Sequence, residues 1–373
     1  MKINLIGEPK IIMNNPESLH AFFAWPSVVK LQNGNIMAGA SGFRLSHMCP
    51  FGKAVVTVSD NQGESYSPLM TVIDTPLDER DAGLTTFGES GLILTSFTNE
   101  PHFQYHHELE KNAYKKAYIE SLTDADIQKY VGSEFVISHD CGKTFSKIYR
   151  SPVSSPHGPT ALTDGSALWV GKFVETEYTK NTWGIPELPF GAGRTAVCYS
   201  INTKHGEVEY VGRIDPPDDT ENYLYCFEPH AVQLPDGTLL CHIRVHAKNA
   251  RNSHGGVQEM QVFQSESYDN GKSWTTPHYL TQGSPCHLFV HSSGAVISAY
   301  GHREEPYGIR VMISFDNGKT WDKDHQIFTY LPFSDLGYPS TCELSDGSLL
   351  TIFYALDQNG TAVIWQQKWS FEK

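Results

Sequence analysis

The chain has 373 residues, a net charge of −14 and seven cysteines, and these figures exclude several classes of protein. The acidic charge argues against nucleic acid or an anionic membrane as a general partner, and no apolar stretch is long enough to span a bilayer. The cysteines are odd in number and scattered, and the N-terminus lacks an apolar run of signal-peptide length. We therefore predict reduced thiols and a cytoplasmic location, and we expect neither a metal nor an organic cofactor.

Six hairpins follow one another along the chain after an opening strand at residues 3–12. In each hairpin, an apolar strand passes through a two-residue turn that ends in glycine and returns as a second apolar strand. The six turns are Asn33-Gly34, Ser90-Gly91, Asp164-Gly165, Asp236-Gly237, Ser293-Gly294 and Asp346-Gly347. Such dipeptides favour tight β-hairpins. Successive glycines lie 57, 74, 72, 57 and 53 residues apart, a spacing typical of propeller blades with loops.

These hairpins predict an all-β fold, a single six-bladed β-propeller over residues 1–373 with four-stranded antiparallel blades. The sixth blade runs out of chain after Trp369 and is one strand short. The opening strand at residues 3–12 is available to supply the missing strand. It would close the ring and leave no open sheet edge.

A second motif follows the hairpins, with the pattern S-x-D-x-G-x-[ST]-aromatic. Full copies begin at Ser138, Ser267 and Ser314, a worn copy begins at Ser59, and a degenerate one covers residues 200–206. The acidic side chain caps its own turn, the glycine takes a positive φ, and the aromatic ring packs the turn onto the sheet. We predict that these turns are structural.

Strand direction places all long insertions on the face opposite these turns. The insertions are residues 100–134, 175–193, 215–226 and 246–258. The first is rich in helix-forming residues and predicts a helical lid. A rigid ring with all its elaboration on one face predicts a functional site on that face.

Chemically active residues gather on the same face in the predicted register. Trp25, Glu228 and Tyr338 each precede a proline in the first strand of a blade. Arg44 and Arg244 end the second strands of blades one and four. Further candidates on this face are Arg303, Arg310, His47, His157, His230 and His287. Such a cluster of titratable groups is typical of a functional site.

The repeated turn motif and the segment from Phe227 to Arg244 resemble the sialidase superfamily of six-bladed propellers, and the resemblance extends over the whole chain. In that family, the glutamate that matches Glu228 activates a tyrosine nucleophile, and the arginine that matches Arg244 binds the substrate carboxylate. The segment around Tyr338 resembles the one that carries the tyrosine. The resemblance therefore implies attack by Tyr338, with Glu228 as its base.

The sequence departs from this family at two site positions. The family's first segment has an arginine where this chain has Ala24, in the segment 23–26. Residues 38–59 contain no Asp or Glu, although the family's acid/base aspartate is expected there. The candidates to replace the missing acid are His47, Asp78, Asp81 and Glu100. The candidates to hold an anion beside Arg244 are Arg44, Arg303 and Arg310.

The leading interpretation is a glycoside hydrolase that removes a small, acidic sugar from the non-reducing end of an oligosaccharide. The residues predicted to contact the sugar are Trp25, His157, His230, His287 and the arginines named above. Two alternatives stay open. A lyase would use histidine or tyrosine for β-elimination on a uronate, and a non-catalytic propeller would only bind carbohydrate. The expected partner is an oligosaccharide or a sugar acid, and the sequence is compatible with a homo-oligomer.

Overall fold

Six antiparallel sheets form a ring of blades, which confirms the predicted all-β propeller. The computed structural model describes residues 1–106, 112–174, 176, 183–217, 224–247, 260–329 and 336–373. Five sheets have four strands, and the third blade carries an additional short strand. In each blade the first strand lies innermost, beside the propeller axis.

After the N-terminal strand, which belongs to blade six, the strands follow the chain from blade one to blade six. They are β1 (Lys2–Met13), β2 (Phe22–Lys30), β3 (Ile36–Arg44), β4 (Lys53–Ser59), β5 (Met70–Ile73), β6 (Arg80–Phe87), β7 (Gly91–Thr98), β8 (Gly132–Ser138), β9 (Tyr149–Ser151), β10 (Val153–Ser154), β11 (Thr160–Ala161), β12 (Ala167–Phe173), β13 (Ala196–Ile201), β14 (Val208–Ile214), β15 (Leu224–Gln233), β16 (Leu239–Ala247), β17 (Gln261–Ser267), β18 (His278–Gln282), β19 (Cys286–Val290), β20 (Val296–His302), β21 (Gly308–Ser314), β22 (Asp322–Phe328), β23 (Gly337–Glu343), β24 (Leu349–Leu356) and β25 (Ala362–Glu372).

The N-terminal strand closes the ring, as predicted. β1 pairs antiparallel with β25, from Lys2 opposite Glu372 to Met13 opposite Ile364. The sixth blade therefore has the order β1-β25-β24-β23 and joins the two ends of the chain. With both ends held in one sheet, the ring cannot open without breaking that ladder of backbone hydrogen bonds.

Apolar side chains of neighbouring blades pack against each other between the sheets. Met37 and Val56 of blade one, for example, are buried in one cluster with Leu92, Leu94 and Val136 of blade two. Close packing of this kind makes the ring a rigid support for groups on its faces. All seven cysteines are free thiols within this scaffold.

The repeated turns between the third and fourth strands are held by their own hydrogen bonds. In the copy that begins at Ser267, the serine hydroxyl accepts from the Gly271 N–H at 2.9 Å and donates to Asp269 at 2.9 Å. The Asp269 carboxylate also accepts from the Ser273 N–H at 2.9 Å and its hydroxyl at 2.6 Å. Gly271 and the preceding Asn270 both have positive φ. The turn thus contains two consecutive left-handed residues, one more than the sequence predicts.

The first insertion is helical, as predicted, and packs on blade one. It contains a 3-10 helix (Pro101–His106) and the helices α1 (Ala113–Ser121) and α2 (Asp124–Tyr130). The Lys115 ammonium donates to Ser46 Oγ at 2.6 Å, and the Tyr118 hydroxyl donates to the Pro76 carbonyl at 2.8 Å. Neither helix of the described chain is long and apolar enough to cross a membrane. The other predicted insertions extend over residues 175–193, 215–226 and 246–258, which lie partly outside the described residues.

Candidate active site

Four residues occupy the same unusual position near the start of the innermost strand of their blades. They are Trp25, Asp81, Glu228 and Tyr338, with φ angles of 53°, 62°, 42° and 50°. Side chains other than glycine rarely adopt this left-handed conformation. The pairing register of each strand also shifts at this point, as in a β-bulge. Backbone strain of this kind concentrates at functional sites, where it directs particular side chains.

The same four side chains line one cavity of about 390 Å³, which we call the rim cavity. Arg80, Lys172 and Phe227 are among its other lining residues. The wall therefore combines two carboxyl groups, a phenol, two cations and aromatic rings. A few polar groups on an otherwise apolar wall are typical of a site for a small molecule.

Glu228 links Tyr338 and Arg244 through its two carboxylate oxygens. Tyr338 Oη donates to Oε1 at 2.5 Å, and Arg244 Nη1 donates to Oε2 at 2.6 Å. Arg244 Nε in turn donates to His246 Nε2 at 2.6 Å. The structure thus brings together the tyrosine and glutamate that the sequence placed in the same register. A carboxylate in direct contact with a phenol can accept its proton during attack.

Burial and neighbouring charges set the protonation states of this pair. Burial by itself raises the pKa of Glu228, but Arg244 and the hydrogen bond from Tyr338 bring it below its ordinary value. Burial and the negative charge of Glu228 raise the pKa of Tyr338 well above its ordinary value. Glu228 is therefore ionised and Tyr338 neutral at rest, so Glu228 is placed to accept the proton of the phenol if the phenol acts as a nucleophile.

Asp81 is the second carboxyl group of the rim cavity. Burial raises the pKa of Asp81 to about 7, an effect that Arg80 opposes and Glu228 reinforces. The carboxyl group therefore keeps its proton at mildly acidic pH and loses it as the pH rises through about 7, whereas Glu228 is already ionised in that range. Two acids whose pKa values are moved in opposite directions in one site divide into a proton donor and a proton acceptor.

Arg44 does not reach the rim cavity, which corrects its predicted contact with an anion. Its side chain is 0% exposed, and its Nη1 and Nη2 donate to both oxygens of Asp78 at 2.6 and 3.0 Å. The guanidinium lies 4.8 Å from the Trp25 ring. Asp78 also lies 3.7 Å from Arg80, so the buried Arg44–Asp78 pair supports the site from behind its aromatic wall.

Trp25 lines the cavity, as the sequence predicted, and two further side chains pack on its ring. The guanidinium of Arg80, which the sequence analysis missed, lies 4.0 Å from the ring centroid, and the His47 ring lies 5.0 Å from it. Arg80 also donates to the His47 carbonyl at 3.1 Å. His47 is exposed and is not part of the cavity lining, which corrects its predicted role as the acid. Asp81 is therefore the acid that the cavity presents.

The two candidate arginines of blade five have different surroundings. The Arg303 guanidinium lies 5.9 Å from the Tyr338 ring, and its Nη2 donates to Tyr354 Oη at 3.1 Å. Arg310 instead lies 3.5 Å from Asp324 on the outer strand β22, which corrects its predicted contact with substrate. Arg303 is therefore the arginine of this blade that can influence the chemistry at Tyr338.

The three histidines predicted to bind sugar pack against one another on the propeller axis. The ring centroids lie 5.6 Å apart for His157 and His230, 5.0 Å for His157 and His287, and 4.5 Å for His230 and His287. Burial lowers the pKa of all three rings, so they are neutral. His230 and His287 line a different cavity of about 610 Å³ along the axis. The predicted contacts of the three histidines with sugar are corrected, because none of them lines the rim cavity. His230, for example, lies two residues beyond Glu228 and therefore deeper in the ring.

Two of these histidines are fixed in a tautomer that does not suit a metal ligand. His230 Nδ1 accepts from the Leu288 N–H at 3.0 Å, and His287 Nδ1 accepts from the Thr341 N–H at 3.2 Å. Each neutral ring therefore carries its proton on Nε2. Across the described ranges, no group of three or more His, Cys, Asp or Glu is arranged to hold a metal ion. The axial histidines thus form a packed, hydrogen-bonded part of the core.

Lys172 is a further cavity residue that the sequence analysis missed. It lies seven residues after the hairpin Gly165, just as Arg244 lies seven residues after Gly237. This shared offset is the sequence signal that marks it. Its Nζ lies 4.1 Å from the centroid of the Phe227 ring, and burial lowers the pKa of the ammonium group.

Comparison with known proteins places this propeller in a family. The family of BNR repeat-like domains matches residues 117–351, well over half of the chain. The chain belongs to this family. Together with the observed ring of blades, this match confirms the predicted sialidase-superfamily propeller. The repeated S-x-D-x-G-x-[ST]-aromatic turns are the Asp-box turns of such propellers. A search among curated proteins found no match.

Solved structures share the fold at low sequence identity. A protein of unknown function from Dyadobacter fermentans is similar at 18% identity and a TM-score of 0.72, with 99% of each chain covered. The GH93 α-L-arabinofuranosidase of Fusarium graminearum is similar at 11% identity and a TM-score of 0.64, with 96% of each covered. The intramolecular trans-sialidase from Ruminococcus gnavus is similar at 12% identity and a TM-score of 0.60, with 94% of each covered. At these identities the likeness shows the fold.

Proposed function

We propose that this BNR-repeat propeller is an exo-acting glycoside hydrolase that releases a terminal, acidic sugar from an oligosaccharide. The observation that carries the proposal is the hydrogen bond from Tyr338 to ionised Glu228 in the cavity that also contains the protonated Asp81. A nucleophile, its base and a proton donor are the three groups that a double displacement at a sugar requires.

In the first step, the Tyr338 oxygen attacks the anomeric carbon while the bond from that carbon to the leaving oxygen breaks. Glu228 takes the phenol proton, and the Asp81 carboxyl group gives its proton to the leaving oxygen. The neutral phenol approaches a substrate with a negative charge without the repulsion that a carboxylate nucleophile would feel. The product of this step is a glycosyl group bound to Tyr338.

In the second step, water attacks the anomeric carbon and displaces the Tyr338 oxygen. The Asp81 carboxylate takes a proton from the water, and Glu228 returns its proton to the tyrosine. All three residues thereby recover their starting states. Two displacements at one carbon retain its configuration, so the released sugar keeps the anomeric form of the substrate.

The comparisons with solved structures support hydrolysis of a glycosidic bond, and the contacts within the site support the roles proposed for Tyr338, Glu228 and Asp81. Two of the similar structures are, by their names, a trans-sialidase and an arabinofuranosidase, both of which act on glycosidic bonds. A confined cavity of about 390 Å³ favours a single terminal sugar over the middle of a polymer.

The two alternatives are less well supported by the geometry. A lyase was attractive because many histidines were predicted near the sugar, but His157, His230 and His287 lie outside the rim cavity. Binding of carbohydrate alone does not require a buried, protonated Asp81 in the same cavity as an ionised Glu228. Arrangements of that kind are typical of catalytic sites.

Product analysis on a panel of aryl glycosides and oligosaccharides tests the proposal. We expect release of a reducing sugar from the non-reducing end and loss of that activity in Tyr338→Phe. An unsaturated product that absorbs in the near ultraviolet would support the lyase instead. Binding of the sugars without any turnover would support a carbohydrate-binding role.

A further inference from the structure

Lys172 is a cation of the rim cavity that the mechanism above does not use. It is partly buried near the end of β12, and no carboxylate of the described residues lies within 4 Å of its Nζ. The other cation of this wall, Arg80, lies 3.7 Å from the Asp78 carboxylate, and the neighbouring Arg244 is paired with Glu228. Of the two cations among the described lining residues, Lys172 is therefore the one without a carboxylate partner, and its charge is available to a ligand.

The order of the blades places Lys172 across the cavity from the nucleophile. The blades follow the chain around the ring, so blade three faces blade six. Lys172 lies in blade three and Tyr338 in blade six. A negative group held by Lys172 is thus separated from the carbon that Tyr338 attacks. On the blade-one side of the nucleophile lies Trp25, whose ring centroid is 6.5 Å from that of Tyr338. On the blade-five side lies Arg303, which donates to Tyr354.

Acidic sugars differ in where they carry their charge. In a ulosonic acid, the carboxylate is attached to the anomeric carbon itself. In a hexuronic acid, the carboxylate is attached to a different ring carbon, away from the glycosidic bond. A cation opposite the nucleophile, with an indole beside it, suits the second arrangement.

We propose that Lys172 binds the carboxylate of a terminal hexuronic acid and so selects glycuronides as substrates. This inference rests on the proposed hydrolase activity and names its substrate class. The partly buried position strengthens the contact, because a charge-assisted hydrogen bond gains where water is largely excluded. The Phe227 ring beside the ammonium offers an apolar surface to the C–H face of the same sugar.

Matched pairs of aryl glycosides test this specificity. The pairs are glucuronide with glucoside and galacturonide with galactoside, in both anomeric forms, and an aryl neuraminide completes the set. We expect the wild type to favour a uronide over its neutral partner by at least ~10-fold in kcat/KM. Lys172→Met, which keeps the apolar stem, should bring this ratio close to one, and Lys172→Arg should retain most of it.

Lys147→Met is the matched control. Lys147 also lies over an aromatic ring, 5.5 Å from the Tyr149 centroid, but it is exposed and outside the rim cavity. The control should keep the wild-type ratio, and thermal melting should show that each variant is folded. A preference for neuraminide or for neutral sugars, or an unchanged ratio in Lys172→Met, would overturn the proposal.

Failure of the hydrolase proposal can be told apart from failure of this one. If the wild type hydrolyses no glycoside, free glucuronate and galacturonate are titrated into each variant by calorimetry. Binding that is at least ~10-fold weaker in Lys172→Met than in the wild type supports the role of the lysine. Equal binding in both, or no binding by the wild type, overturns it.

Discussion

Each oxygen of Glu228 has one partner, so the carboxylate holds the nucleophile and a cation in one arrangement. In the proposed mechanism, Tyr338→Phe removes the attacking oxygen, and Glu228→Gln removes the base that takes its proton. We expect each change to lower turnover by at least ~100-fold, and the double variant to be little worse than either single one. Steady-state kinetics on the three variants measures this, with calorimetry to show that a sugar acid still binds. Near-normal turnover in Tyr338→Phe would remove the mechanism.

In the proposed mechanism Asp81 connects catalysis with stability, because the burial that keeps its proton in place also disfavours its charged form. Its pKa is about 7 in the folded protein against an ordinary value of 3.8. The folded state therefore holds this proton more tightly than the unfolded state. The carboxyl group's contribution to stability is accordingly lost as the pH rises from about 4 to about 7.

Asp81→Asn should therefore stabilise the protein above neutral pH and impair it as an enzyme. We expect a gain on the order of a few kcal/mol at pH 8 and a smaller gain at pH 5. Denaturant unfolding at both pH values measures this. In the wild type, kcat/KM should fall as the pH rises above about 7. This decrease should be absent from the pH profile of the variant. A variant equally stabilised at both pH values would show that Asp81 does not titrate as described.

At the scale of the element, the bulged start of the inner strand builds the site, and the turn at the other face supports it. Asp269→Ala removes a carboxylate that accepts hydrogen bonds from Ser273 and Ser267. We expect a loss of about 1 kcal/mol in stability, because such a net contribution is usual for a hydrogen bond. Catalytic constants should stay within about twofold of the wild type. Loss of turnover in a stably folded Asp269→Ala protein would show that the two faces are wrongly assigned.

The strands and turns could be predicted from the sequence more completely than the site residues. Asn-Gly and Asp-Gly turns and the repeated serine–aspartate motif identify the blades because local turn chemistry determines both. The prolines after Trp25, Glu228 and Tyr338 marked equivalent positions in three blades. Asp81 has no proline after it, so the fourth equivalent residue became recognisable only from its positive φ and its bulge.

Side-chain direction was the part that sequence could not supply. The bulge shifts the alternation of the strand, so His230, two residues after Glu228, packs on the axis and does not line the rim cavity. Arg44 was placed at the correct end of its strand, yet its guanidinium turns to Asp78. Such choices depend on tertiary partners far apart in the chain, which neither spacing nor composition reveals.

At the scale of the whole molecule, the ring depends on one strand from the far end of the chain. Deletion of residues 1–13 removes the partner of β25 and leaves an open sheet edge. We expect a strongly lowered melting temperature and association of the truncated protein. A synthetic peptide of residues 1–13 should restore the wild-type melting temperature, whereas a scrambled peptide should not. A truncated protein with unchanged melting would mean that ring closure contributes little to stability.

A glycosyl group bound to Tyr338 is the most direct consequence of the proposed mechanism. In Asp81→Asn, an aryl glycoside with a good leaving group can still glycosylate the tyrosine, but no carboxylate is present to activate the water of the second step. We therefore predict that mass spectrometry of this variant, incubated with the best aryl substrate, shows one added glycosyl group on the peptide that contains Tyr338. The additional change Tyr338→Phe should abolish the adduct. Turnover without any adduct on Tyr338, or an adduct on another residue, would contradict the account.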